Sequence, residues 1–235
     1  MKKSLQIGVV LVSLLTATSC QNEAMVSENQ QSNYTLNVSS FVGSRTYVEQ
    51  NGEVKWSEGD KLYVYGPNVS GVLTLSEGAK TKDGKFTGFV FGNPDNLQWA
   101  VFGDDVKFTN DGAQFTIKEV TDPNSNSPMV GEIGSGSVQM KHLCGMVRLT
   151  INNLPQNATV TLGGTGIAGT AEIADGKITN IAYEHSISLK TVDGTDNVFE
   201  IPVFATETEM PVEFTLAIDG VSTSFKAPIK VSIAP

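Results

Sequence analysis

Several residues of this chain are of types and spacings that could do chemistry. His142 and Cys144 stand two apart in KHLCG, so an extended backbone would turn both to one face, as half of a metal site does. Zinc needs four such ligands, and the other His is His185, with no further free thiol if Cys20 is consumed elsewhere. A core or edge role is the better expectation, and no metal is expected. Asp104-Asp105 and VDGTDN, residues 192–197, offer oxygens to calcium, but the alternating acidic spacing with a closing Glu is missing, and turn chemistry accounts for them equally well. Trp56 and Trp99 could be stacking platforms for sugars, which would make the chain a surface carbohydrate-binding protein; each stands in an alternating or apolar run, where a ring usually belongs to a core. The glycine-rich run GGTGIAGTAE, residues 163–172, lacks the Lys and the βαβ setting of a phosphate cradle, and no Gly-x-Ser-x-Gly turn is present. Neither an enzyme nor a cofactor is expected. The remaining reactive feature is a peptide bond. Arg45, one of two arginines, stands alone between the strand-like runs Tyr34 to Val42 and Thr46 to Gln50. It is either a solvated loop charge or a bond open to a protease that cuts between Arg45 and Thr46.

The N-terminus must be set aside before the fold is read. Lys2 and Lys3 precede an apolar stretch from Leu5 to Leu15 and small residues that run into Cys20. This is a secretory signal, since the stretch is too short to span a bilayer. Ala17-Thr18-Ser19-Cys20 resembles a bacterial lipobox, with Ala17 where Leu is usual, which implies cleavage before Cys20 and acylation (palmitate among the chains) of the new N-terminus. Loss of Lys2 and Lys3 leaves 14 basic residues against 25 acidic, a charge of −11. Nucleic acid is excluded as a partner, because nothing supplies the cations for counterion release. Anionic headgroups would repel the chain as well, so membrane attachment would rest on the lipid, at roughly 0.8 kcal/mol per buried methylene.

Residues 21–33 hold little to bury and read as a flexible tether. From Tyr34 onward the pattern has period two: YTLNVSS, KLYVYG, VLTLS, QFTIKEV, VRLTIN, ATVTL, HSISLK, VEFTLAI and IKVSI alternate apolar with polar, as half-buried strands do. Asn-Gly and Asp-Gly pairs at 51–52, 83–84, 111–112, 175–176, 193–194 and 219–220 suit tight hairpin turns. No window shows capped helical spacing. The spacing predicts an all-β chain of about sixteen short strands, too many for one ordinary sandwich, and so two β-sandwich domains in series. The Pro-, Gly- and Ser-rich loop 121–137 is the expected boundary, giving domains 34–137 and 138–235 behind a signal at 1–20.

GEVKWSEGDKLYVYG, KFTGFVF, WAVFG, SPMVGE and VQMKHLCGMVRLTINNLP follow one another in an order that resembles the fimbrillin-like lipoproteins of Bacteroidetes. The resemblance covers about Arg45 to Pro155. It implies two transthyretin-like sandwiches, export as a lipoprotein to the outer membrane and cell surface, and service as a stalk, tip or anchor subunit of a fimbria (pilus), or as an adhesin for a host or bacterial surface ligand. Its partners would be other fimbrial subunits. In polymerising members a protease cuts after an Arg ahead of the W-x-x-G-D strand, and a strand from another subunit fills the groove left by the leading strand. Arg45 and Thr46 match that cut. By its alternation, IKVSI, with Ile229, Val231 and Ile233, is shaped as a donor strand, although it is shorter than the family's usual C-terminal segment and lacks the Lys-x-Tyr element before it.

Overall fold

The computed structural model describes residues 31–40, 55–110, 112–120, 127–152, 158–190, 196–204 and 213–226. Cys20, Arg45, Thr46, Ile229, Val231 and Ile233 lie outside the described residues. The described chain is all-β. It has β1 (Gln31–Ser40), β2 (Lys61–Gly66), β3 (Val69–Glu77), β4 (Asp83–Phe91), β5 (Trp99–Phe102), β6 (Lys107–Phe108), β7 (Ala113–Ile117), β8 (Glu119–Val120), β9 (Met129–Gly134), β10 (Ser137–His142), β11 (Cys144–Asn152), β12 (Thr159–Ala174), β13 (Lys177–Lys190), β14 (Asp196–Phe204), β15 (Glu213–Ile218) and β16 (Val221–Lys226). The helical content among these residues is one 3-10 turn, Pro94–Asn96.

Seven strands close a barrel in the order β1-β10-β9-β5-β2-β3-β4, with β4 returning to β1. Every neighbouring pair is antiparallel except β1 with β10. The alternation seen in the sequence becomes inside and outside: Leu36, Val38, Leu62, Val64, Leu73, Phe86, Val90, Ala100, Phe102, Met129, Val138 and Met140 form the barrel core. Closure also removes the open sheet edges that a flat array would present. Beyond the barrel, β16-β15-β12-β13-β8 form a second sheet that β7 joins through β12, and β11 pairs with β14. A second core lies there, around Phe115, Leu162, Ile167, Ile173, Ile187, Phe199, Ile201 and Phe204. Tyr65, Val101 and Val130, from barrel strands, pack into that second core rather than their own. The two cores therefore meet along the outer face of β2, β5 and β9.

Two expectations are corrected. The line between 137 and 138 falls inside β10, whose hairpin with β9 pairs Ser137 with Gly134, so both strands belong to the barrel. In the other direction, β6, β7 and β8 precede that line yet belong to the second sheet, with Phe115 opposite Ala171 and Val120 opposite Leu189. The stretch taken for a linker holds a strand because Met129, Val130 and Gly131 are buried between β5 and β10. The tether is shorter as well, since Gln31, Ser32 and Asn33 pair with Phe91, Val90 and Phe89 of β4.

Candidate functional site

The strand ahead of Arg45 is the one that closes the barrel. β1 runs antiparallel to β4 over nine register pairs, from Gln31 with Phe91 to Ser39 with Asp83, and parallel to β10 over four, from Asn37 with Ser137 to Ser40 with Met140. The β10 seam is thus both shorter and of the parallel kind, which is slightly weaker per residue. Its start is marked by the Asn37 N–H donating to the Gly136 carbonyl at 3.2 Å. The inward residues of β1 are those the alternation singled out: Leu36 and Val38 are fully buried, and Tyr34 packs against the same core. Their register partners on β4 alternate in size, Gly88 opposite Tyr34, Phe86 opposite Leu36 and Gly84 opposite Val38. At the Val38 end an open cleft of about 690 Å³ runs along the strand, walled by Glu77, Gly78 and Lys85 on one side and Ser137 and Gln139 on the other. Lys85 and Glu77 are ion-paired there at 2.8 Å.

The W-x-x-G-D element supports this end of the barrel. Trp56, 1% exposed, plugs the core with edge-to-face contacts to Phe86 (5.0 Å) and Phe102 (5.4 Å), and its Nε1 donates to the Lys82 carbonyl at 3.1 Å. The chain then turns sharply. Gly59 takes φ +87°, the Ser57 N–H donates to Asp60 Oδ2 at 2.7 Å, and the Asp60 N–H returns to the Ser57 carbonyl. Burial pushes the Asp60 carboxyl up to about 6, against the hydrogen bond from Ser57, with the Asp104 charge adding to the rise. Gly84 is required beside this plug, since a Cβ there would sit 2.9 Å from Trp56 and 2.8 Å from Leu75.

The other chemistry-capable residues are not brought together. His142 Nδ1 shares a hydrogen bond of 3.0 Å with the buried Ser127 hydroxyl, while Cys144 is sunk in the second core, where burial pushes its thiol pKa up. His185 is exposed on β13. Asp105 is ion-paired with Lys118, whose hydrogen bond holds the carboxyl below its usual range, and φ +49° at Asp105 marks it as a turn residue. The glycine-rich run forms the middle of β12, with a bulge between Gly163 and Ala168. Trp99 is half-buried where the barrel meets the second sheet. Residue-level reading missed Val138 and Met140 as partners of β1, although their own alternation in SVQMKH was a sufficient strand signal.

No family model matches the chain, and no curated protein does. Its fold matches that of a candidate cell adhesion protein from Bacteroides ovatus, at 11% identity and a TM-score of 0.50, over 84% of this chain and 87% of that one. Weaker likenesses are a candidate cell adhesion protein from Bacteroides uniformis (16% identity, TM-score 0.44, 82% and 83% covered) and the tip fimbrial protein Mfa3 from Porphyromonas gingivalis with a C-terminal truncation (12%, 0.35, 84% and 81%).

Proposed function

We propose that this chain is a fimbrillin-like cell-surface lipoprotein, a fimbrial subunit or adhesin of two transthyretin-like domains that works by strand complementation rather than catalysis. The observation that carries the reading is the position of β1. The segment ahead of Arg45 is a complete strand, and it alone separates β4 from β10. Removing it would leave two strand edges and an apolar trough floored by Phe86 between Gly84 and Gly88, which an extended segment with alternate apolar residues fits. Ile229, Val231 and Ile233 supply three apolar residues at alternate positions, the number that Tyr34, Leu36 and Val38 supply in β1. A second copy, or another fimbrial subunit, would present such a segment.

In this reading Cys20 carries the lipid that holds the protein to the outer membrane, and a cut at Arg45–Thr46 both opens the groove and frees the protein from that lipid. The fold shared with a candidate cell adhesion protein from Bacteroides ovatus is in keeping with this reading. The mature N-terminus of protein recovered from the cell surface tests the reading by mass spectrometry. A start at Thr46 is expected for an assembled subunit; acylated Cys20 alone, which would mark an anchor or monomeric form, or any other start removes β1's release from the mechanism.

A further inference from the structure

Between the barrel and the second sheet lies a cleft of about 600 Å³, within the roughly 300–1,000 Å³ of small-molecule sites. It is bounded by the β2–β3 turn, the start of β5, the connection after β6 and the β12–β13 turn. Aromatic rings stand on three sides: half-buried Trp99, Phe108 (38% exposed) and Phe91 (54% exposed). Single exposed rings occur elsewhere, as at Phe89 (52% exposed), so the informative feature is that three converge on one cleft. Trp99 is held firmly from one side, because Gly176 in the Asp175-Gly176 turn lies so close to its six-membered ring that any side chain there would collide. Polar groups alternate with the rings, with Asn68, Asn110 and Asp175 all exposed on the walls. In the lining, Tyr65 is 6% exposed, and its hydroxyl has no hydrogen-bond partner among the described residues. Buried polar groups left so are few in native proteins, and each has a cause such as strain or a bound water or ion.

The chemistry narrows the ligand. None of the described residues lining the cleft is cationic, and Asp175 adds a negative charge, so a phosphate, sulfate or carboxylate ligand would be repelled. A purely apolar ligand would leave the amides and the carboxylate desolvated and unpaired. A pyranose satisfies both demands, since its C–H face stacks on an aromatic ring while its equatorial hydroxyls donate to a carboxylate and bond to amides. We propose that the cleft formed by Trp99, Phe108, Phe91, Asn68, Asn110 and Asp175 is a binding site for neutral glycans. Phe91 is the register partner of Gln31 on β1, whereas the other five groups stand on elements that β1 does not pair with.

The two tryptophans make the test direct, because Trp56 is sealed in the barrel and Trp99 alone borders the cleft. Acrylamide quenching of the full chain is followed while lactose, maltose, cellobiose, mannobiose and N-acetyllactosamine, with sialyllactose and a sulfated lactose as charged controls, are each titrated to about 10 mM, enough to see millimolar binding. Saturable protection of the quenchable tryptophan by at least one sugar is expected. Asn110→Ala, at an exposed position, should weaken that binding about tenfold while the melting temperature holds, and Phe108→Ala should weaken it as much with some loss of stability, because its ring also packs edge-to-face on Tyr63 at 5.8 Å. Lack of protection by every sugar, binding unchanged in both variants, or binding of sialylated or sulfated sugars alone would overturn the proposal.

Discussion

Leu36→Ala probes the closing strand at its centre. The side chain is fully buried, faces the barrel core and sits opposite Phe86 on β4. Truncation removes three carbons, and at about 0.8 kcal/mol per buried methylene the lost transfer alone is roughly 2.4 kcal/mol. A cavity ringed by β-strand backbone collapses poorly, so a total of about 2.5–4 kcal/mol is expected, within the range of such core truncations. Thr35→Ala, its exposed neighbour on the same strand, should cost under about 0.5 kcal/mol. Urea unfolding followed by fluorescence of the buried Trp56 measures both, with the slope against urea expected to be unchanged. The same energy has a second reading. If β1 becomes a separable peptide after a cut at Arg45, a loss near 2.8 kcal/mol weakens its hold on the groove about 100-fold. A Leu36→Ala cost below about 1 kcal/mol, or equal costs at 35 and 36, would refute the claim that β1 completes the barrel core.

Other consequences follow from the same geometry. Gly84→Val should destabilise by about 1–3 kcal/mol and shift Trp56 emission, since even a Cβ meets Trp56, Leu75 and Phe86 within 3.0 Å; urea unfolding checks the first and the folded-state spectrum the second. Asp60 makes stability depend on pH. Its carboxyl stands near 6 when folded against 3.8 for an ordinary aspartate, so the folded protein holds the extra proton between those values and loses stability as pH rises through them. Asp60→Asn keeps an acceptor for Ser57 and should flatten that slope in melting temperatures taken from about pH 4 to 7; coincident slopes would contradict the assignment. In a chain lacking Cys20, Cys144 should stay unreactive to a thiol reagent until denaturant is added, because its thiol is buried in the second core. Gly176→Ala should lower the melting temperature through its φ of +68° and its contact with Trp99, and should loosen Trp99 to acrylamide.

Local pattern carried some of this architecture well. KLYVYG is β2 to the residue, and its alternation is the barrel's inside and outside, with a break at Tyr65 where the outer face meets the second core. Asp175-Gly176 and Asp219-Gly220 are tight turns with both φ angles positive, as their side chains favour. Asp83-Gly84 is the exception that shows the limit of dipeptide reasoning. It lies within β4, and Gly84 is there because Trp56 leaves no room for a Cβ. Partner choice was not legible, since alternation fixes which face a strand buries but not which strand it joins. QFTIKEV alternates well, yet nothing local says that Phe115 pairs with Ala171 instead of a barrel strand. The glycines of β12 are poor strand formers, and they are tolerated in a strand because β13 holds the backbone on both sides of the bulge, with β15 beside it before the bulge and β7 after it. The processing and donor residues, Arg45 and Ile229 to Ile233, rest on their motifs and on what β1 does.

The central claim is that β1 is a replaceable strand. A site-specific protease sequence placed at residues 43–46 allows the folded protein to be cut in place after β1, and a fluorescent peptide of residues 31–42 then competes for the groove. The account predicts that cut protein captures the peptide and uncut protein does not. A peptide with Leu36→Asp and Val38→Asp should fail to bind, because it would bury two unpaired charges in the barrel. Capture of both peptides alike, or of neither once the cut is complete, would contradict it.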